Sequence, residues 1–173
     1  MKKVLLLLFM LGFAGAAHAA VNENDGNVTK GASGLPVPRF ASLRVGEVNM
    51  RTGPGTRYPI RWVYLRLGLP VEITAEYDIW MRVKDPDGAE GWIHKSALTG
   101  KRGAIVTGGV TGGLRELYDS ASEKAPINAH LENGAVGHLL SCAPLWCKAK
   151  FGDVKGYVRK ADFWGVYPNE VFD

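Results

Sequence analysis

The sequence repeats itself, and this internal repeat restricts the possible folds of the chain more than any other feature. The segment NMRTGPGTRYPI, residues 49–60, aligns without a gap on ELYDSASEKAPI, residues 116–127, and both segments end in Pro-Ile. The alignment continues at an offset that falls only from 67 to 65, and it pairs Gly68 with Gly134, Trp80 with Trp146, and Gly91-Trp92-Ile93 with Gly156-Tyr157-Val158. The repeat indicates two copies of one structural unit, each of about 60 residues and near the lower size limit for an independent core.

Short runs of alternating residues predict that each copy is built of β-strands. RWVYLR, residues 61–66, places Trp62 and Tyr64 on one face of a strand and Val63 and Leu65 on the other. We expect the face with Val63 and Leu65 to be buried, which leaves the aromatic face partly exposed.

Turn signals and the lack of helical periodicity complete the assignment of fold class. Asp85-Pro86-Asp87-Gly88 lies between IWMRV and AEGWIH and predicts a β-hairpin. Apolar residues nowhere recur at helical spacing over three turns. We therefore predict an all-β protein made of two tandem small barrels or sandwiches.

The segments outside the strand patterns predict linkers. Residues 20–38 are rich in Asn, Gly, Ser, Thr and Pro and have no apolar period, so we expect a flexible leader there. KRGAIVT, residues 101–107, is expected to form a closing strand of the first copy. TGGVTGG, residues 107–113, is then expected to join the two copies.

The first 19 residues have the features of a secretory signal peptide. Lys2 and Lys3 precede an apolar run, and Ala17-His18-Ala19 resembles a cleavage site. The run is too short to span a bilayer, so we expect a periplasmic or secreted protein with no membrane anchor after cleavage. The formal net charge of +4 falls to +2 without Lys2 and Lys3, and no dense Lys and Arg cluster suggests nucleic-acid binding.

The two cysteines, Cys142 and Cys147, flank the sequence APLW. A pair of cysteines in an exported protein is expected to be oxidised. If the chain makes a tight hairpin here, the two side chains face each other across the strands and form a structural disulfide. Redox or metal chemistry at these residues is the less favoured alternative.

The residues that catalysis would need are absent from the sequence or used elsewhere. Cys142 and Cys147 are expected to be bonded to each other, which leaves no thiol nucleophile. The histidines of the mature chain, His94, His130 and His138, form no His-x3-His pair and no ligand cluster. We therefore predict no enzyme, no catalytic residue, no metal site and no cofactor. Gly53-Pro54-Gly55 lacks the lysine and helix of a phosphate loop and predicts a stiff turn.

Several ordered features of the first copy resemble the bacterial SH3-like (SH3b) domain. They are Asn-x-Arg-x-Gly-Pro-Gly, Tyr-Pro, a glycine before an apolar strand, Trp-x-x-Val and Gly-Trp-Ile. The second copy keeps Pro-Ile and Gly-Tyr-Val, but DSASEKA replaces TGPGTRY. The resemblance implies two tandem small SH3-like β-barrels over residues 39–105 and 106–168, followed by a C-terminal tail over residues 169–173.

The resemblance also implies an exported module that binds peptidoglycan peptide or a partner protein. We expect the ligand-binding residues to be Arg51, Tyr58, Trp62 and Tyr64, which would form a shallow aromatic groove on the first copy. The partner is then a cell-wall peptide or an extended segment of an envelope protein. The alternative is a structural or scaffolding partner of a separate cell-envelope enzyme. The apolar FWGVYPNEVFD, residues 163–173, is expected to dock across both copies.

Overall fold

The computed structural model describes residues 29–108 and 113–173, which are almost entirely β-structure. A small hairpin of β1 (Thr29–Lys30) and β2 (Pro36–Val37) precedes two seven-stranded antiparallel sheets. The first sheet contains β3 (Arg39–Leu43), β4 (Val48–Arg51), β5 (Ile60–Tyr64), β6 (Pro70–Tyr77), β7 (Trp80–Lys84), β8 (Glu90–His94) and β9 (Leu98–Thr99). The second contains β10 (Gly103–Val106), β11 (Arg115–Tyr118), β12 (Ile127–Leu131), β13 (Val136–Cys142), β14 (Trp146–Phe151), β15 (Val154–Arg159) and β16 (Phe163–Trp164).

The two sheets have the same topology. The strand order is β5-β4-β8-β7-β6-β3-β9 in the first and β12-β11-β15-β14-β13-β10-β16 in the second. Short 3-10 helices, Lys95–Ala97 and Lys160–Asp162, precede the last strand of each. The predictions of an all-β fold and of two tandem SH3-like units are confirmed. We call residues 39–99 the first module and residues 103–164 the second module.

Matching positions of the repeat fill the two cores. Six fully buried residues form three such pairs: Met50 with Leu117, Val83 with Ala149, and Ile93 with Val158. Full burial of a Val, Leu, Ile or Met side chain contributes about 1.5–3 kcal/mol to stability. No helix among the described residues is long and apolar enough to cross a membrane.

The strand at KRGAIVT does not close the first module. β10 pairs with β13 and β16, so it belongs to the second sheet and takes the position that β3 has in the first. The chain therefore changes sheets between Thr99 and Gly103, before the boundary expected at residue 105. TGGVTGG is not the joint either, because β10 and β11 on its two sides lie in the same sheet. Residues 109–112 of that stretch lie outside the described residues.

Part of the expected flexible leader is an ordered hairpin. Residues 20–28 lie outside the described residues, but β1 and β2 pair, and Val37 is buried in the core of the first module. The carboxylate of Glu76 holds this hairpin. It accepts hydrogen bonds from the Ser33 backbone N–H at 2.7 Å and hydroxyl at 2.8 Å, and it pairs with Arg39 at 2.6 Å. Burial alone would raise the pKa of Glu76, but these three contacts together lower it.

The predicted disulfide is confirmed. Cys142 and Cys147 are directly opposite in the β13–β14 pair, their Cα atoms are 4.0 Å apart, and the sulfur atoms are bonded. Both residues are buried in the core of the second module.

The C-terminal segment packs against both modules, as expected. The ring of Phe40 in β3 contacts Trp164 at 4.8 Å and Tyr167 at 4.7 Å between ring centres. The Tyr167 hydroxyl donates a hydrogen bond to Glu72 of the first module at 2.8 Å. Burial and this contact with Glu72 raise the pKa of Tyr167 above its ordinary value. The segment therefore fixes the modules to each other.

Candidate functional site

The loop between β4 and β5, residues 52–59, is held closed by its own residues. The Arg51 guanidinium donates hydrogen bonds to the carbonyl oxygens of Thr56 at 3.1 Å and Tyr58 at 2.8 Å. The backbone N–H of Thr52 also donates to Pro59 at 3.0 Å, which closes the base of the loop. Arg51 is therefore a support of the loop as well as part of its surface.

The Tyr58 side chain lies on the glycines of this loop. A Cβ atom at Gly53 would lie 2.5 Å from the Tyr58 ring, so only glycine leaves room for it. The Arg57 guanidinium carbon lies over the same ring, 5.1 Å from its centre. The proline at position 59 favours an extended backbone at Tyr58, but the Tyr58 ring nevertheless packs back on the loop.

A depression of about 230 Å³ lies beside this loop on the first module. Its lining residues are Glu47, Val48, Asn49, Arg51, Thr56, Trp80, His94 and Ala97. Trp80 and His94 meet edge to face at 5.4 Å between ring centres. His94 is oriented by Ser96, whose hydroxyl lies 2.6 Å from Nδ1. The depression thus combines a carboxylate, a guanidinium, an imidazole and an indole.

On the matching surface of the second module, Arg159 is paired with carboxylates of the same module. Tyr118 takes the place of Arg51 and meets Trp146 edge to face at 5.5 Å. Arg159, in the place of His94, forms ion pairs with Glu123 at 2.6 Å and Asp162 at 3.0 Å. Hydrogen bonds to Asp162 are the main reason why the pKa of Arg159 is raised. The Arg159 guanidinium is therefore already occupied by carboxylates of its own module.

Tyr64 is a core residue and not part of a surface groove. It is buried, and its hydroxyl donates a hydrogen bond to the buried carboxylate of Asp85 at 2.9 Å. Asp85 also accepts hydrogen bonds from the backbone N–H groups of Asp87 at 3.1 Å and Ala89 at 2.7 Å, within the predicted hairpin turn. Burial, followed by the bond to Asp85, raises the pKa of Tyr64.

The orientation of β5 differs from the expected one. Val63 and Leu65 were expected to be buried, but they are 42% and 76% exposed. β5 is the edge strand of its sheet, and its first four residues are exposed. Trp62 is 58% exposed, as expected for a binding residue.

The four residues predicted to form one groove therefore lie in different places. Arg51 borders the depression, Tyr58 packs on the loop, Trp62 lies on the edge strand, and Tyr64 is in the core. The predicted ligand-binding residues did not include Glu47, Asn49, Trp80 or His94, which also line the depression. The repeat could have indicated this site, because the alignment pairs His94 with Arg159 and Arg51 with Tyr118, and these residues differ between the copies. Within residues 29–108 and 113–173, no three His, Cys, Asp or Glu residues are grouped as metal ligands.

Comparison with known families finds two matches in this chain. The family model described as "Bacterial SH3 domain" matches residues 44–100 and residues 114–165, which together make up more than half of the sequence. Each match covers most of one module. Comparison with curated proteins gives no match.

Solved structures of NlpC proteins show a weak likeness. NlpC2 from Trichomonas vaginalis is 12% identical with a TM-score of 0.33, over 73% of this chain and 48% of that one. An NlpC/P60 family protein from Bacillus cereus is 16% identical with a TM-score of 0.32, over 72% of this chain and 55% of that one. The present chain thus spans about half the length of these proteins. At these scores the likeness supports no conclusion about function.

Proposed function

Because the chain belongs to the bacterial SH3 domain family, with one domain in each module, we propose that it is an exported, non-catalytic binding protein whose first module binds a cell-wall peptide. The depression beside residues 52–59 is the observation that supports this proposal. The signal-peptide pattern of residues 1–19 supports export to the periplasm or beyond.

The chemistry of the depression suits a short peptide that carries both charges. The Glu47 carboxylate is available to an amino group of a ligand. The Arg51 guanidinium uses only Nη1 for the loop, so its other nitrogen atoms are available to a carboxylate of the ligand. Trp80 and His94 supply an aromatic wall for a small side chain. About 230 Å³ is below the ~300–1,000 Å³ of most small-molecule sites, so the depression holds only one or two residues of a ligand.

The second module supports a division of roles. Its matching surface has ion pairs from Arg159 to Glu123 and Asp162 where the first module has an open depression. A ligand there would have to break these pairs. We therefore assign binding to the first module and a supporting role to the second.

A pull-down on purified peptidoglycan sacculi tests the wall proposal. The mature protein is expected to sediment with the sacculi at low salt, and Glu47→Gln is expected to weaken binding about tenfold, since a lost bond to a charged group costs about 1.5 kcal/mol or more. Glu132→Gln is the matched control, because Glu132 is exposed and outside the depression. A protein that stays wholly in the supernatant, or equal loss in both variants, refutes the proposal.

The edge strand β5 favours a second candidate, the binding of an extended segment of an envelope protein. Residues 60–67 make no backbone hydrogen bond to any described segment other than β4, so a peptide can add to this edge as a further strand. The exposed apolar side chains of the segment are Ile60 (47%), Trp62 (58%), Val63 (42%), Leu65 (76%) and Leu67 (62%). A cluster of this kind is typical of an interaction surface.

The charge of the edge strand indicates which partner it suits. Arg57, Arg61 and Arg66 make no ion pair with any residue that the structure describes, and no acidic residue lies between residues 57 and 67. A second copy of this chain, paired strand to strand, would bring these arginines against each other. The favoured occupant is therefore an acidic and apolar segment of another protein.

The second module indicates that this apolar surface is not needed for folding. Arg61 donates a hydrogen bond to the Glu90 carbonyl at 3.1 Å, and Asn128 makes the same bond to Lys155 at 3.1 Å. In both modules, a side chain of the edge strand thus donates a hydrogen bond to a backbone carbonyl oxygen of the corresponding strand, β8 or β15. Nevertheless, β12 exposes Asn128 and His130 where β5 exposes Arg61 and Val63.

Crosslinking in the native envelope tests this candidate. Trp62→Ala is expected to abolish a protein adduct that survives digestion of the wall, while the thermal stability of the protein is unchanged. His130→Ala on β12 is the control and should leave the adduct intact. Loss of folding in Trp62→Ala, or an adduct that persists in it, counts against the β5 surface.

A further inference from the structure

A cleft between the two modules has no role in the function proposed above. We call it the junction cleft, and its volume is about 490 Å³. It is lined by residues of both modules and of the link between them: Ser42, Leu43, Arg44, Leu67, Gly68, Thr99, Lys101, Gly103, Gly137 and His138. Because its walls come from both modules, the cleft exists only in the tandem protein.

Close contacts between backbone segments build the floor of the cleft. The Gly103 backbone N–H donates a hydrogen bond to the buried Ser42 hydroxyl at 2.8 Å. A Cβ atom at Gly103 would lie 2.3 Å from the Gly68 carbonyl oxygen, and one at Gly137 would lie 2.6 Å from the Phe151 ring. Glycine at position 103 lets the two modules approach, and glycine at position 137 leaves room for the Phe151 ring within the second module.

The charged residues of the cleft are all basic. Arg44, Lys101 and His138 line it, all three are exposed, and no Asp or Glu belongs to the lining. None of the three side chains forms an ion pair or hydrogen bond with another described residue. Arg44 and Lys101, with no carboxylate in the lining, create a positive potential in the cleft.

Two other arginines close to the junction are paired with carboxylates, whereas Arg66 donates a hydrogen bond to the Gly134 carbonyl oxygen of the second module. Arg39 pairs with Glu76 at 2.6 Å. Arg102, which follows Lys101 in the chain, pairs with Glu170 through its two terminal guanidinium nitrogens, Nη1 and Nη2. The described carboxylates near the junction therefore pair with Arg39 and Arg102 and not with the cations of the cleft.

We propose that the junction cleft binds a small ligand that has an anionic group on an apolar body. Arg44 and Lys101 hold the anionic group, a carboxylate or a phosphate, with His138 beside them. The apolar body lies against the exposed side chain of Leu67, which lines the same space. The volume of about 490 Å³ lies within the range of ~300–1,000 Å³ typical of small-molecule sites.

This inference is independent of the proposed peptide site. The depression by residues 52–59 is formed by the first module alone, whereas the junction cleft needs Gly103 and Gly137 of the second. A negative result for one site therefore leaves the proposal for the other site unchanged.

Titration of the mature, full-length protein with three probes tests the proposal. The probes are octanoate, octyl phosphate and the neutral octanamide, followed by the backbone NMR signals of Gly68, Gly103 and Gly137. Octanoate or octyl phosphate is expected to shift these signals to saturation at millimolar concentration, and which of them binds more tightly identifies the anionic group. Octanamide is expected to bind at least about tenfold more weakly, since a bond to a charged group contributes about 1.5–3 kcal/mol.

Two double variants with the same change of charge provide the decisive comparison. Arg44→Gln with Lys101→Gln is expected to weaken binding of the anion about tenfold or more. Lys84→Gln with Lys155→Gln removes two exposed cations that do not line the cleft, and it should leave binding within about twofold. Dispersed NMR spectra confirm that each variant is folded. Unshifted glycine signals, equal binding of octanamide, or equal loss in both double variants overturns the proposal.

Discussion

At the scale of single residues, the hydrogen bond between Tyr64 and Asp85 distinguishes the core of the first module from the core of the second. Tyr64 carries a hydroxyl into the core, and the Asp85 carboxylate satisfies it while capping the hairpin turn. The second module has Leu131 in the place of Tyr64, fully apolar and buried. A polar pair in a small core stabilises only when both partners are present.

We predict that Tyr64→Phe destabilises the first module. The substitution removes the hydroxyl and leaves a buried carboxylate oxygen without its donor, so the free energy of unfolding should fall by about 1–3 kcal/mol. Urea unfolding at neutral pH, followed by tryptophan fluorescence, measures the change. An unchanged midpoint would show that water replaces the hydroxyl without cost.

Alkaline pH provides a second prediction for buried tyrosines. The pKa values of Tyr64 and Tyr167 are raised in the folded protein, so above about pH 10 the unfolded chain releases protons that the native state keeps. Stability is therefore fully present below pH 10 and decreases as the pH rises further. The double variant Tyr64→Phe with Tyr167→Phe should show a smaller decrease between pH 9 and 11 than the wild type. Equal slopes for the two proteins contradict the prediction.

At the scale of secondary-structure elements, the end of one strand serves the same purpose in both modules. Glu76 near the end of β6 holds the N-terminal hairpin through Ser33 and Arg39. Cys142 at the matching end of β13 pairs with the backbone of Phe172, at 2.7 and 3.1 Å. Each module thus attaches one terminal segment at this position, and the second module adds a disulfide there.

We predict that the disulfide is an addition to a module that can fold without it. Met81, the residue of the first module that corresponds to Cys147, is buried without any covalent partner. The double variant Cys142→Ala with Cys147→Ala should therefore fold and lose about 2 kcal/mol, the chain-entropy term for so short a loop. Thermal unfolding measures the loss, and reduction of the wild type should reproduce it. Two freely alkylated thiols in the native exported protein would refute the bond itself.

At the scale of the whole molecule, the modules are joined by close contact and not by a flexible linker. The chain crosses from β9 to β10 within a few residues, and the Gly103 N–H donates a hydrogen bond to Ser42 of the first module. The C-terminal segment closes the other side through Tyr167 and Glu72. The two modules are therefore expected to move as one body.

Gly103→Ala is predicted to separate the modules. The added methyl group would lie 2.3 Å from the Gly68 carbonyl oxygen, which is backbone and cannot rotate away, so the cost should be about 1–3 kcal/mol. Gly100→Ala is the matched control, because no atom lies within 4 Å of its added methyl group. Urea unfolding measures stability, and the NMR shifts of Ser42 and Gly68 report the contact. Equal stability of the two variants contradicts the tight contact.

The candidate site could be predicted only in part. The repeat comparison correctly singled out the segment from Arg51 to Tyr58 as the part that differs between modules. A period of two residues separates the faces of RWVYLR, but it does not say which face is inside. The edge position of β5, a result of long-range strand pairing, leaves Val63 and Leu65 outside and Tyr64 inside.

The sequence by itself determined the all-β class, the duplicated topology and the cysteine pair, because these depend on local alternation, repetition and residue spacing. Only the tertiary structure decided which sheet receives β10, since its partners β13 and β16 lie more than 30 residues away in the chain. The order of the N-terminal hairpin likewise depends on Glu76, which lies 43 residues beyond Ser33. The junction cleft has the same origin, because Arg44 and His138 belong to different modules and meet only when the modules pack.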